Sequence, residues 1–407
     1  MVRREHRPVL VVGAGPTGLS AALALRARGL PVTVLEAEPA DRERPGSRAI
    51  YTHGTTLRVL ERLHPGLGWR LADHGLVWPT RRTMWRGREV FARTYPPVPS
   101  GSLPPFTSMP QVETERHMLD ACKRADVEFV WDSPVNGVET TPEAVRITTA
   151  SGDVWTAQYL IAADGARSAL RRGIGVEMGG SRSATSFVIV DVTEDPADPL
   201  PVERTFHYQH PAVGGRHVLL VPFAGGWRVD LQCRQDDDPD AFGSQAGVRA
   251  WLAPVLGERY AHRVTWVSTY RFLQVVADAF IDRWRRVLLV GEAAHLFAPF
   301  GARGMNSGIA DADAAGAAVA QALEATDRSA AHSAVDRFAR ERRAAAERNR
   351  NAAGAALAHM QARDAWTRFK QQLAAVLAPR VEKAGAWLDT APYGPRRTAP
   401  DRAAGKY

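Results

Sequence analysis

Apolar and polar positions follow two different periods along this chain, and the change of period divides it. Val9-Leu10-Val11-Val12 is an unbroken apolar run, the pattern of a short strand buried on both faces of a parallel sheet. It leads into Gly13-Ala14-Gly15-Pro16-Thr17-Gly18. Beyond this turn Leu19, Ala22 and Leu23 fall on one face of a helix and Arg26 and Arg28 fall off it. Gly29 supplies the stop. Val32-Thr33-Val34-Leu35 predicts the next strand and delivers Glu36 at its carboxyl end. The chain therefore opens as a βαβ unit.

Later segments continue the division. Residues 47–63 read as a loop and then a helix, 96–110 as a proline-rich connection, and 111–124 as a helix. Short alternating runs at 127–130, 145–149 and 154–161 predict strands. Residues 187–192, 217–223, 227–232 and 264–272 are β-like runs separated by Gly214-Gly215, Gly225-Gly226 and the acidic stretch 236–240. They predict an inserted, mostly antiparallel sheet. The run 287–290 returns to the buried-strand pattern, followed by a glycine-rich loop and a helix through Leu323. The Ala/Arg-rich remainder to about Leu388 reads as helical, and a loose tail is expected from Thr390, with Pro392, Pro395 and Pro400. No internal repeat interrupts this order.

Composition narrows the class. A chain of 407 residues, 45% hydrophobic and 24% charged, suits a soluble globular protein of enzyme size, with room for two or three domains. No apolar run reaches the ~18 residues of a membrane helix, and residues 1–8 lack the apolar region of a signal peptide. Cys122 and Cys233 stand far apart, which argues against disulfide scaffolds and cysteine metal sites and makes a cytoplasmic location the expectation. The net charge of +8 raises a nucleic-acid reading. Yet the densest basic stretch, 337–350, interleaves Glu341 and Glu347 at helical spacing, as a solvated face does. Neither nucleic-acid nor membrane partners are expected. His207 and His210 lack a third ligand at a recognisable spacing, so no metal is expected either.

The chemistry lies in the glycines. In Gly13-x-Gly15-x-x-Gly18 the first glycine makes a tight turn, the second admits a pyrophosphate against the backbone, and the third packs the helix on the strand. The helix N-terminus then presents unpaired amides to the phosphates. Glu36 stands where a carboxylate accepts hydrogen bonds from ribose hydroxyls, which disfavours a 2′-phosphate there. The motif by itself does not separate NAD from FAD.

Two later segments do. Residues 159–171 (YLIAADGARSALR) resemble the DG segment of p-hydroxybenzoate-hydroxylase-like (class A) FAD-dependent aromatic monooxygenases. Residues 287–295 (VLLVGEAAH), continuing through 299–308 (PFGARGMNSG) to Asp311-Ala312, resemble their GD segment. Order and spacing are similar to that family from about residue 8 to 320. The resemblance implies an α/β fold: a Rossmann-like FAD-binding domain, an inserted mostly antiparallel β-sheet substrate domain, and C-terminal helices. The FAD-binding domain would occupy residues 1–175, interrupted by substrate-domain strands near 75–110, and return at 281–325. The substrate domain would occupy 176–280, and helices and tail 326–407, too short a remainder for the thioredoxin-like domain of larger members.

Position by position, the resemblance implies noncovalent FAD. Gly13, Ala14, Gly15, Pro16, Thr17 and Gly18 would surround the pyrophosphate, and Glu36 and Ala37 would face the adenosine ribose. Arg48 would reach the phosphates or ribityl chain, Gln111 the ribityl chain, and Val135 the adenine. Asp164 belongs to the DG segment. Gly291 and Glu292 belong to the GD segment, where the family has Asp in place of Glu292. Gly304, Met305 and Asn306 would start a helix whose amides face the pyrimidine edge of the flavin. Arg303 departs from the family, and its guanidinium is expected near the flavin or paired with Glu292. His295 is read as a packing residue, and no catalytic residue is assigned. Tyr208, Phe223, Trp227 and Phe272 are candidate substrate walls, each equally readable as core.

With one dinucleotide motif and no redox cysteine pair, the resemblance implies a single-component monooxygenase. NAD(P)H would be co-substrate, and O2 would react through a flavin C4a-hydroperoxide to hydroxylate an aromatic or phenolic, including polyketide-type, small molecule. A homodimer is compatible with it. Two alternatives stay open: a flavin oxidoreductase of the same fold doing Baeyer–Villiger insertion, oxidative decarboxylation or dehydrogenation, and a non-catalytic flavin- or metabolite-binding protein.

Overall fold

The computed structural model describes residues 4–43 and 46–395. At its centre strand β1 (Arg4–Val12) runs parallel to β2 (Thr33–Leu35) on one side and β10 (Val154–Ala162) on the other. Val9, Leu10 and Val11 are fully buried, as an apolar run without alternation requires. β7 (Glu128–Val130) extends the parallel sheet beyond β2. β10 divides its partners: residues 154–157 pair antiparallel with β9 (Val145–Thr149), and 160–162 pair parallel with β16 (Val287–Leu289). β8 (Val135–Thr140) closes the edge on β9.

Helix α1 (Pro16–Arg26) follows β1, and α9 (Arg303–Glu324) packs on it. Gly316 permits this approach, since a β-carbon there would lie 2.7 Å from that of Ala24. α4 (Gln111–Arg124) lies against α1, with the Cys122 thiol donating to the Leu19 carbonyl at 3.5 Å. α2 (Gly54–Leu63) and α3 (Leu67–His74) pack on each other beside a two-stranded ribbon of β3 (Tyr51–His53) and β6 (Phe106–Ser108). The short α5 (Ala169–Gly173) follows β10.

The second sheet has eight strands in the order β17 (His295–Leu296), β15 (Val264–Ala277), β11 (Met178–Thr193), β14 (Gly226–Gln232), β13 (Arg216–Phe223), β12 (Glu203–His210), β4 (Thr80–Trp85) and β5 (Arg88–Thr94). Every neighbouring pair is antiparallel except β12 with β4. On the outer face Val188, Val190, Trp227, Val229 and Leu231 bury against Val248, Trp251 and Leu252 of α7 (Gln245–Leu256). The short α6 (Pro239–Gly243) and α8 (Glu258–Ala261) flank α7. The inner face, which carries residues 228, 230 and 232 of β14, turns toward the first domain. α10 (Arg328–Gln361), α11 (Ala365–Leu377) and α12 (Glu382–Thr390) follow α9.

Three differences from the sequence pattern matter. β8 was missed because Gly137 sits inside it, and β12 because ERTFHYQH is mostly polar; its alternation shows only in the burial of Phe206 and Tyr208. The tail expected to be loose from Thr390 instead forms a 3-10 turn, Ala391–Tyr393, with Pro392 buried. Pro400 lies outside the described residues. Among the described residues no helix is long and apolar enough to cross a membrane, and Cys122 and Cys233 are both free and buried.

Candidate functional site

The end of β1 and the start of α1 form a cradle. Gly13 adopts φ +102°, donates its N–H to the Leu35 carbonyl at 2.8 Å, and has no room for a β-carbon against the Ala163 carbonyl. Gly18 is equally closed by the Gly13 carbonyl. Gly15 is the N-cap of α1 at φ −77°, Pro16 fills the first turn, and no side chain caps the helix, so its leading amides are left for a ligand. The buried Glu36 carboxylate accepts from the Ala14 amide at 2.5 Å and from the Glu38 amide at 3.1 Å, which fixes it at the end of β2. Each oxygen has acceptor capacity beyond one N–H.

A second group stands at the other end of the same cavity. Ser47 donates its N–H and hydroxyl to Asp191 of β11, at 2.8 and 2.7 Å, and Arg228 of β14 donates to the Ser47 hydroxyl. The Ala49 amide donates to Gln111 Oε1 at 3.2 Å, and Gln111 Nε2 donates to Glu115 at 2.7 Å. Arg48, held between these two anchors, takes the left-handed φ of +48° and is exposed. Asp164 Oδ2 accepts from the Leu170 amide at 3.1 Å, while its buried Oδ1 has no partner; burial pushes this carboxyl up.

Gly291 adopts φ +59°, and a β-carbon on it would lie 2.7 Å from Thr17 Oγ1, so β16 and α1 meet through it. Glu292 is open only toward the cavity it lines. Burial among protein raises its carboxyl, against the opposing charges of His295 and Arg48. α9 starts at a left-handed Ala302 (φ +52°) without a side-chain cap. The Asn306 side chain locks that start: it donates to the Tyr51 and Ala302 carbonyls, at 2.9 and 2.7 Å, and accepts from the His53 amide and the Thr56 hydroxyl.

These groups line one cavity of about 3000 Å³ between the two sheets. Every residue that the sequence assigned to the cofactor lines it except Ala14, Gly18 and Gly291, which stand behind its wall and shape the backbone. For Arg303 the expected pairing with Glu292 is corrected. Its guanidinium does not pair with that carboxylate but donates to Asn349 Oδ1 and to the Tyr393 carbonyl, each at 3.0 Å, because the 391–393 turn lies over the start of α9. His295 is buried: its Nε2 lies 2.6 Å from Asp311 Oδ2, and its ring stacks on Phe297 at 4.6 Å. Arg342 donates to the other Asp311 oxygen at 2.6 Å. Burial alone would raise the Asp311 carboxyl, but His295 and Arg342 hold it below the usual range.

Beyond the cradle the cavity opens into a chamber under the inner face of the eight-stranded sheet. Phe187, Phe206, Phe272 and Phe300 line it, with the Phe187 ring 4.8 Å from Phe272 and 5.6 Å from Phe300. Of the four candidate walls only Phe272 does so. Trp227 lies on the opposite face beneath α7, Phe223 packs with Ile50, Trp78 and Phe106, and the Tyr208 hydroxyl is buried between His359 and the Leu388 carbonyl. Sequence reasoning missed the polar members of this wall. Arg81 of β4 pairs with Asp389 of α12 at 2.6 Å, Arg204 of β12 stands 3.9 Å from the same carboxylate, and both guanidinium groups lie over the Tyr393 ring. Asp230 and Gln232 face the chamber from β14. Their signal was the alternation in WRVDLQ, whose polar half points inward.

A family model described as an FAD binding domain matches residues 6–353. The chain belongs to the p-hydroxybenzoate-hydroxylase-like family of FAD-binding proteins. Within this family it is 32% identical over 318 residues to a 6-methylpretetramide 4-monooxygenase of Streptomyces rimosus, covering 75% of this chain and 54% of that one. It is 29% identical over 331 residues to a 3-(3-hydroxy-phenyl)propionate/3-hydroxycinnamic acid hydroxylase of Mycobacterium avium (strain 104), covering 75% and 53%. The chain thus spans about half the length of these relatives. Its fold is similar to that of p-nitrophenol 4-monooxygenase from Pseudomonas putida DLL-E4, with a TM-score of 0.76, 23% identity, and coverage of 97% of this chain and all of that one. FAD is the cofactor of this domain. The uncapped starts of α1 and α9, the glycine cradle and the partnerless Asp164 oxygen fit a long dinucleotide laid between them.

Proposed function

We propose that this protein is a single-component flavin monooxygenase that uses NAD(P)H and O2 to hydroxylate an aromatic or phenolic small molecule. The observation that carries the reading is the continuity of one cavity, which joins the FAD cradle to a phenylalanine-lined chamber. The relatives named for ring hydroxylation support it. FAD supplies the redox chemistry, accepting hydride from NAD(P)H and activating O2. One oxygen atom would enter the product and the other leave as water.

The chain's own residues do the remaining work. With FAD bound, the α1 amides and Gly15 would hold the pyrophosphate, Glu36 and Ala37 the adenosine ribose, and Val135 would border the adenine. Arg48, Gln111 and Glu292 would serve the middle of the cofactor. Backbone amides of Gly304, Met305 and Asn306, at the positive end of a 22-residue helix, stabilise negative charge on the flavin's pyrimidine edge. Phe187, Phe206, Phe272 and Phe300 hold the substrate ring and exclude water.

The purified protein is expected to be yellow with one noncovalent FAD per chain. It should oxidise NADH or NADPH faster in the presence of a suitable phenol, giving a product heavier by one oxygen. A protein that takes up no FAD, or whose bound flavin neither donor reduces, overturns this reading. Oxidation without oxygen gain would move it to dehydrogenation or decarboxylation.

A further inference from the structure

The inner face of the large sheet carries one acidic group that the cofactor site does not use. Asp230 stands on β14 opposite Ile189 of β11 and Leu219 of β13, between two apolar side chains. Its carboxyl lines the chamber, and its buried Oδ1 has no hydrogen-bond partner. Two residues along the same face, Gln232 is 8% exposed. Its Nε2 donates to the Met360 carbonyl at 3.4 Å, which leaves Oε1 buried and unpartnered. A carboxyl set among apolar side chains without a donor is costly to keep, and such groups concentrate where a ligand completes them.

We propose that Asp230 is the base that takes the proton from a ring hydroxyl of a phenolic substrate held against this sheet. The inference rests on the reading of the chamber as a phenol site. In the step, the substrate O–H bond breaks, the proton passes to a carboxylate oxygen of Asp230, and the electron pair stays on the ring oxygen. No oxidant or reductant enters. The ring that results is richer in electrons and better suited to accept an oxygen atom.

The surroundings suit the role. Arg228, the cation on the same strand, is turned to Asp191 at 3.5 Å and to the Ser47 hydroxyl, and makes no hydrogen bond to Asp230. Asp191 on β11 adds a like charge. On β13, Leu219 is the direct neighbour, and His217 stands one row away with Nδ1 taken by the Gln209 amide. Burial is the main influence and raises the Asp230 carboxyl to about 6, with Arg228 opposing and Asp191 reinforcing it. That places the base close to the pH at which it would work.

The test is calorimetric binding of 4-methylphenol, which stays neutral throughout, and of its methyl ether, 4-methylanisole, to the FAD-loaded protein across the pH range 4.5–8. A hydrogen bond to a charged group predicts that the phenol binds roughly tenfold or more tighter than the ether. The preference should fade as pH falls below about 6, and Asp230→Asn should remove that pH dependence while FAD content stays unchanged. Should Asp230→Asn not fold, Asp230→Leu, which continues the apolar flanks, carries the same comparison. A wild-type protein that prefers the phenol with no break near pH 6, or a variant that keeps both preference and break, overturns the role of Asp230 and leaves the phenol site standing. Binding of neither probe overturns the phenol site itself, and the base with it.

Discussion

At the scale of single residues, the three motif glycines are not equivalent. Gly13 and Gly18 are closed by backbone, so substituting them attacks the fold, whereas Gly15 has an ordinary φ of −77° that any residue adopts. Gly15→Val is therefore expected to fold and to lose FAD, since a branched side chain there would stand where the pyrophosphate approaches the backbone. Flavin absorbance of the purified variant checks this; full retention would make the glycine a mere turn residue. Asp230 gives a second prediction. Its carboxyl is raised from 3.8 to about 6 in the folded state, so folding favours the protonated form. Below about pH 4 the group is neutral in both states and costs nothing. Through the window from 4 to 6 the cost of ionisation grows, to at most about 3 kcal/mol, and to less where cavity water reaches the carboxyl. Asp230→Asn should thus melt higher than wild type at pH 8 and at the same temperature at pH 4. Equal melting at both would show that the carboxyl is fully solvated. The cradle was readable in the sequence because strand, glycines, helix and acid are contiguous. Asp230 was not, because a strand of alternating residues does not declare which face meets a cavity.

Elements show the same limit more sharply. In β14 Trp227 was a candidate substrate wall, yet α7 covers it together with Val229 and Leu231, and it is the polar half of the strand that lines the cavity. The β12–β4 pairing joins segments more than a hundred positions apart, and no local pattern announces it. The same holds for α12, whose Asp389 pairs with the buried Arg81 guanidinium and stands close to that of Arg204. Asp389→Asn leaves both uncompensated and should cost about 3 kcal/mol. Hydrogen exchange across 382–393, measured with the melting temperature, should show that this segment loosens first. An unchanged melting temperature and unchanged protection would mean that cation–π contact with Tyr393 holds the segment by itself.

At the scale of the whole molecule, two sheets with separate cores enclose the cavity, and both contribute to its walls. The first sheet was largely evident from its buried strands. The second was evident as an insertion with further strands expected near 75–110, where β4 and β5 lie, but not in the two-residue β17, which joins it from beyond the inserted segment. The turn at 391–393 has a consequence in time as well as in space. Synthesis proceeds from the N-terminus, so the nascent chain completes every group around the cofactor, through Asn306, well before Tyr393 emerges to bridge Arg81, Arg204 and Arg303. The 391–393 turn is therefore the last described piece to join the cavity wall, added to groups already in place.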